Sequence, residues 1–187
     1  MKTFVLPALK LTLVFIVILA IAYPFLIAGI GKLAPGQGKG LKIIRNGKTI
    51  GYENIGQKFT HDNYFNDRPS AASFNAAGSA GSNKGPSNPD YLKDVTAKID
   101  TFLKHNPGIK KSEIPSELVT YSGSGLDPDL SPEAAMIQVT RVASVRKIKE
   151  TTIRQLVQTH IEQPFLGLFG PAKVNVLKLN LALDQLK

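Results

Sequence analysis

Between Leu11 and Ile30 the chain carries no charged residue, and this run limits the possible fold more than any other feature of the sequence. Its twenty residues, each rising about 1.5 Å in an α-helix, match the roughly 30 Å hydrocarbon layer of a bilayer. The run therefore reads as one transmembrane helix within residues 1–31. Tyr23 and Pro24 interrupt it, and neighbouring helices in a complex can satisfy the carbonyl that such a proline frees. A cleaved export signal is the competing reading, because Lys2 and Lys10 precede the apolar run and Ala20-Ile21-Ala22 has the small-x-small form of a cleavage site. Cleavage there would leave a chain beginning Tyr23-Pro24-Phe25-Leu26, an exposed apolar stretch, whereas an uncleaved helix buries it in lipid. The anchor is preferred on that ground.

At 187 residues and 43% hydrophobic content, the chain has room beyond the anchor for one compact domain but not for two. Residues 32–40, rich in Gly, Pro and Lys, read as a juxtamembrane linker, which leaves residues 41–187 as a single domain. Cysteine is absent, so disulfides, thiolate metal sites and thiol nucleophiles are excluded together. The net charge of +9 raises the question of nucleic acid, but the basic residues are scattered among acids, there is no tryptophan, and few aromatics lie between the cations. No nucleic-acid partner is expected. The charges flanking the helix, Lys2 and Lys10 on one side against Lys32, Lys39, Lys42, Arg45 and Lys48 on the other, place the domain in the cytoplasm when counted by the positive-inside rule.

The domain reads as α+β. Leu41 to Tyr52 has the pattern of a hairpin turning at Asn46-Gly47. Asn66 to Asp90, dominated by Ser, Ala, Gly, Asn and Pro, is a long loop of the kind that carries function. Leu92, Val95, Ile99 and Phe102 recur at helical spacing, which predicts an amphipathic helix over Asp90–Asn106 with Asp90 as its cap. Ser131-Pro132-Glu133 opens a second helix, a third runs from about Lys149 to Glu162, and the alternation of Leu177, Leu179, Leu181 and Leu183 predicts a half-buried strand.

Catalytic and cofactor motifs fail on spacing. The glycines around Gly38 and Gly85 lack the Gly-Lys-Ser/Thr of a phosphate loop. Ser124 is flanked two residues away by Ser122 and Leu126, where a nucleophile elbow requires glycines. His61, His105 and His160 show no paired metal-ligand spacing, and Asp127, Asp129 and Glu133 lack the remaining positions of a calcium loop. We therefore expect no catalytic residue, no cofactor and no metal. The competing class is an anchored extracytoplasmic enzyme or ligand-binding module built on the polar loops around Asn83 and Ser122.

Several compositionally odd stretches remain, in the order IGQKF, NYFNDRPSA, AGSNKGPSNP, LVTYSGSGLDPDLSPEAA, QVTRVA and VNVLKLNLALDQL. Together with the N-terminal helix they make the chain resemble the C chain of the bacterial Kdp-type potassium-transporting ATPase over nearly its whole length. The resemblance implies a non-catalytic subunit that assembles and stabilises a high-affinity potassium pump in the bacterial inner membrane, its domain on the periplasmic side despite the charge count. It further implies three partners, a channel-like potassium-translocating subunit, a P-type ATPase subunit and a very small membrane subunit, with lipid around residues 11–30.

Two segments are expected to meet those partners. Phe165 to Phe169 puts two Phe and two Leu in a Gly-punctuated stretch that is either core or, if exposed, a contact with a membrane subunit or lipid. On a continuous helix opened by Ser131, Ala135, Val139, Val142 and Ala143 form the core side, which leaves Gln138 and Arg141 on an opposite, docking face. The alternative for Arg141 is a bond within its own domain, to Asp127 or Asp129.

Overall fold

In the computed structural model, which describes residues 2–186, the apolar run lies within one long helix made of α1 (Lys2–Ile16), a π-helical stretch (Val17–Ala22) and α2 (Tyr23–Gly31). The wide turn sits just before Pro24, which has no N–H to donate and whose ring would press on the carbonyl one turn back; the amide of Tyr23 reaches five residues back to Ile18. The apolar span, Phe4–Gly31, is 28 residues, about 42 Å of helix and more than a bilayer core requires. From Leu11 onward it is apolar on every side, as a helix surrounded by lipid is. The chain divides into two units between Lys42 and Ile43.

The boundary falls at the first residue of a hairpin, β1 (Lys42–Arg45) and β2 (Lys48–Tyr52). Asn46 and Gly47 both take positive φ, 51° and 74°, as a two-residue primed turn requires and as few other residue pairs tolerate. The chain then runs without regular elements to Asn88. Helix α3 (Pro89–His105) is capped by Asn88, whose side chain accepts from the amides of Asp90 and Tyr91, rather than by Asp90. Pro89 fills the first helical position, where no N–H is needed, and Asp90 lies in the first turn, where its charge suits the helix dipole.

Three short antiparallel strands, β3 (Asp129–Leu130), β4 (Ile161–Glu162) and β5 (Lys173–Asn175), form a sheet in the order β3-β5-β4, with Leu130 and Ile161 both opposite Val174. Against it pack α4 (Pro132–Met136) and α7 (Val176–Leu183); α6 (Glu150–Thr159) packs on both of these helices, and α5 (Val139–Arg146) packs on α6. Ser131 caps α4 as its sequence predicts, accepting from the amide of Ala134, and its hydroxyl is bonded to Glu117. The core is aliphatic, centred on Leu130, Val139, Val142, Ile153, Val174 and Leu179, with Phe65 from the irregular segment driven into it.

Two further expectations fail here. The C-terminal run is a strand only through Asn175; its side chain then accepts from the amide of Lys178 and starts α7. Leu177, Leu179, Leu181 and Leu183 do alternate, but the residues most fully buried are Val176, Leu179, Asn180 and Leu183, spaced as one helix face. The helix opened by Ser131 is also interrupted, ending at Met136 and resuming at Val139 with Gln138 as the cap residue.

Candidate subunit-docking site

Gln138 and Arg141 face inward. The expected core side is buried, as Val139, Val142, Ala135 and Ala143 show, yet Gln138 is wholly buried as well and the Arg141 side chain is only 3% exposed. The break after α4 lets both residues turn toward the irregular segment from Asp62 to Asn66. The Oε1 atom of Gln138 accepts from the Asn66 amide at 2.8 Å and from Arg141 Nη2 at 2.7 Å, while its Nε2 donates to the carbonyls of Asn66 and Ala134. Arg141 gives Nε to Asn106 at 2.9 Å and Nη1 to the carbonyls of Asp62 and Tyr64 at 2.6 and 2.9 Å. Burial pulls its pKa below the ordinary arginine value, against which Asp62 pushes back, and a guanidinium remains charged throughout. These bonds tie a segment with no ladder of its own to the helices. Arg141 does not reach Asp127 or Asp129; Arg68 pairs with Asp127 at 2.8 Å and Lys173 with Asp129 at 2.7 Å.

A parallel clamp was not foreseen in the sequence. Asn180 on α7 accepts from the Phe65 amide and donates to the Phe65 carbonyl, both at 2.9 Å. The visible signal was a lone asparagine among leucines, at a position that a strand reading sends outward. Asp67 was also missed: among the described residues neither of its carboxyl oxygens has a hydrogen-bond partner, although both are buried. Burial pushes its pKa well up, Asp127 adds to the rise, the Gln57 backbone amide, short of hydrogen-bonding geometry, opposes it, and Asp129 contributes least.

The serines that invited an enzyme reading serve their own loop. Ser122 Oγ accepts from the Gly125 amide at 2.9 Å and Ser124 Oγ from Leu126 at 3.0 Å. His105 is paired with Asp62 at 2.8 Å, and the ring of His160 lies against the Leu156 carbonyl. His61 is exposed at the start of the turn that leads into the clamped segment.

Phe165 to Phe169 is exposed rather than core: Phe165 is 71%, Leu166 73%, Leu168 82% and Phe169 64% accessible. The stretch is a compact loop closed on itself. Phe165 and Phe169 exchange both backbone bonds at 3.0 Å, and Gly167 donates to the Pro164 carbonyl at 2.8 Å. Leu166, Gly167 and Gly170 hold positive φ, which at Leu166 is strained and so marks a fixed shape. The two phenyl rings stand 6.3 Å apart. Of the four candidate interface residues, then, Phe165 and Phe169 are outward and Gln138 and Arg141 are structural.

An apolar helix followed by an α+β domain, whose Ser122, Ser124 and Arg141 support its own backbone and whose largest exposed apolar group is a preshaped loop, is the form of a membrane-anchored accessory subunit. The family model described as the c chain of the K+-transporting ATPase, KdpC, matches residues 5–185. A potassium-transporting ATPase KdpC subunit from Flavobacterium johnsoniae is 56% identical over 179 residues, covering 96% of each chain. Those of Phocaeicola vulgatus, 48% identical over the full length of both chains, and of Caldanaerobacter subterraneus, 52% identical over 94% of this chain and 91% of that one, are also similar. The chain belongs to the KdpC family.

Proposed function

We propose that this chain is the non-catalytic accessory subunit of an ATP-driven potassium uptake pump, and that it assembles and stabilises the pump. The observation that carries the reading is full-length membership of the KdpC family, in a chain whose buried Gln138, Arg141 and Asn180 side chains are bonded within its own architecture. Phe4–Gly31 is read as crossing the bacterial inner membrane once, with the domain on the periplasmic side. Residues 41–187 act as one folded unit, joined to the helix by residues 32–40. The partners are the channel-like potassium-translocating subunit, the P-type ATPase subunit and the small membrane subunit of the same pump.

Phe165 and Phe169 are proposed as the part of the domain that meets its surroundings in the assembled pump, a membrane subunit or the lipid surface. They are among the most exposed large apolar residues of the domain, and a preshaped loop loses little conformational entropy on docking. Gln138 and Arg141 support that surface only indirectly, by holding the domain together. The topology is open to direct test because the chain has no cysteine of its own. A Lys104→Cys variant labelled by an impermeant reagent in intact spheroplasts places the domain outside; labelling only after lysis places it in the cytoplasm and refutes the assignment.

A further inference from the structure

From Gln163 to Ala172 the chain carries no charged side chain, and at the centre of that stretch stand the four exposed apolar residues of the 165–169 loop. A protein partner and a lipid surface both accept apolar side chains, but they place different demands on the backbone between them. Lipid has no groups with which to satisfy amides and carbonyls, so a segment entering it must pair them internally. This loop does so at its base, where Phe165 and Phe169 each use both N–H and C=O on one another, and again where the amide of Gly167 meets the Pro164 carbonyl and that of Leu168 the Phe165 carbonyl; the carbonyls of Leu166, Gly167 and Leu168 take no partner within the loop, which confines its entry to the hydrated boundary at the headgroups. The tip, Leu166-Gly167-Leu168, presents two leucines and no polar side chain.

The chain itself supplies the opportunity. The apolar helix ends at Gly31 and β1 begins at Lys42, so the intervening residues, fully extended, reach at most about 35 Å. A domain on so short a tether is held at the bilayer surface at high effective concentration, and even a modest apolar contact is then populated.

We propose that the Phe165–Phe169 loop is a lipid-inserting tip: its Leu and Phe side chains enter the boundary between headgroups and acyl chains, giving the domain a second membrane contact besides its helix. This rests on the reading of the chain as an anchored pump subunit and names lipid, rather than another polypeptide, as the partner of the loop. Amphipathic elements of this kind reach about 5–10 Å into the boundary region, the depth of a few side chains.

The chain contains no tryptophan, so Leu168→Trp introduces a single fluorophore at the most exposed position of the loop. The full-length variant is reconstituted in phosphatidylcholine nanodiscs with and without bromine on the acyl chains. Insertion predicts that brominated lipid at least halves the emission, while Lys93→Trp, on the exposed face of α3, keeps its full emission. Equal emission from Trp at position 168 in the two lipids overturns the proposal. A photoreactive phenylalanine derivative at position 168 then tests the assembled pump: a phospholipid adduct supports insertion, and a cross-link to a second polypeptide overturns it. Co-purification of the pump subunits is scored in the same preparations. Its absence with the unsubstituted chain refutes the accessory-subunit reading, whereas intact co-purification without lipid contact refutes insertion alone.

Discussion

Asn180 closes both backbone polar groups of Phe65, taking its N–H and donating to its C=O at 2.9 Å each, across 115 residues of sequence. The pair does the work of one rung of a β-ladder for a residue that belongs to no strand, and it seats the Phe65 ring in the core. Asn180→Leu fits the leucine-rich helix but strands a buried amide and carbonyl at about 1–3 kcal/mol each. We expect a loss of about 2–4 kcal/mol, read as a clearly lower melting temperature of the full chain in detergent. An unchanged melting temperature would show that water replaces the clamp.

Arg141→Ala should destabilise the domain by a similar amount, about 2–4 kcal/mol, because Gln138, Asn106 and the carbonyls of Asp62 and Tyr64 lose their donor together. Arg141→Lys should recover little of this, since an ammonium cannot reproduce the guanidinium fork. Thermal melts of the three chains side by side check both points. Full rescue by lysine would mean that charge, rather than geometry, is what the site needs.

Phe169→Ser should behave in the opposite way. Its side chain is exposed, so stability should move by no more than about 0.5 kcal/mol, while the yield of assembled pump falls. A large drop in melting temperature with assembly intact would make the residue core.

Asp67 gives the domain a pH dependence of a particular sign. Its pKa is raised on folding, so between about pH 3.9, the ordinary carboxyl value, and the elevated folded value the native state holds more protons than the unfolded one. The stability conferred by the protonated carboxyl is fully present below that window and is lost as pH rises through it. Asp67→Asn should therefore melt higher than the parent chain at pH 8 and no higher at pH 3.5. Parallel melting profiles across that range would remove Asp67 as the source.

Loss of the Ser131 hydroxyl removes a helix cap together with its bond to Glu117, and Ser131→Ala should cost about 1–2 kcal/mol. Ser131→Asp keeps a capping oxygen but sets it against the Glu117 carboxylate, and should recover only part of the loss. Chemical denaturation midpoints compare the two.

Local signals in the sequence carried far. Asn46-Gly47 specified the hairpin turn, Ser131-Pro132-Glu133 the start of α4, and the uncharged run the N-terminal helix, because each depends on residues close to one another in the chain. The errors share a cause. A helical wheel over 132–146 assumes one unbroken helix and counts polar residues as outward, but Gln138 and Arg141 turn inward to partners at Asp62, Tyr64, Asn66 and Asn106, far away in sequence. Asn180 was hidden in the same way. The alternating leucines of α7 satisfied two periods at once, and the choice between them fell to the Asn175 cap and to the packing around Val176 and Leu183.

The most direct test of the account is purification of the tagged full-length chain from membranes after expression with its genomic neighbours. The account predicts that a P-type ATPase subunit and a potassium-translocating subunit co-purify at fixed ratio and that deletion of the chain abolishes high-affinity potassium uptake. A chain that purifies alone, from cells whose uptake survives its deletion, would contradict the account.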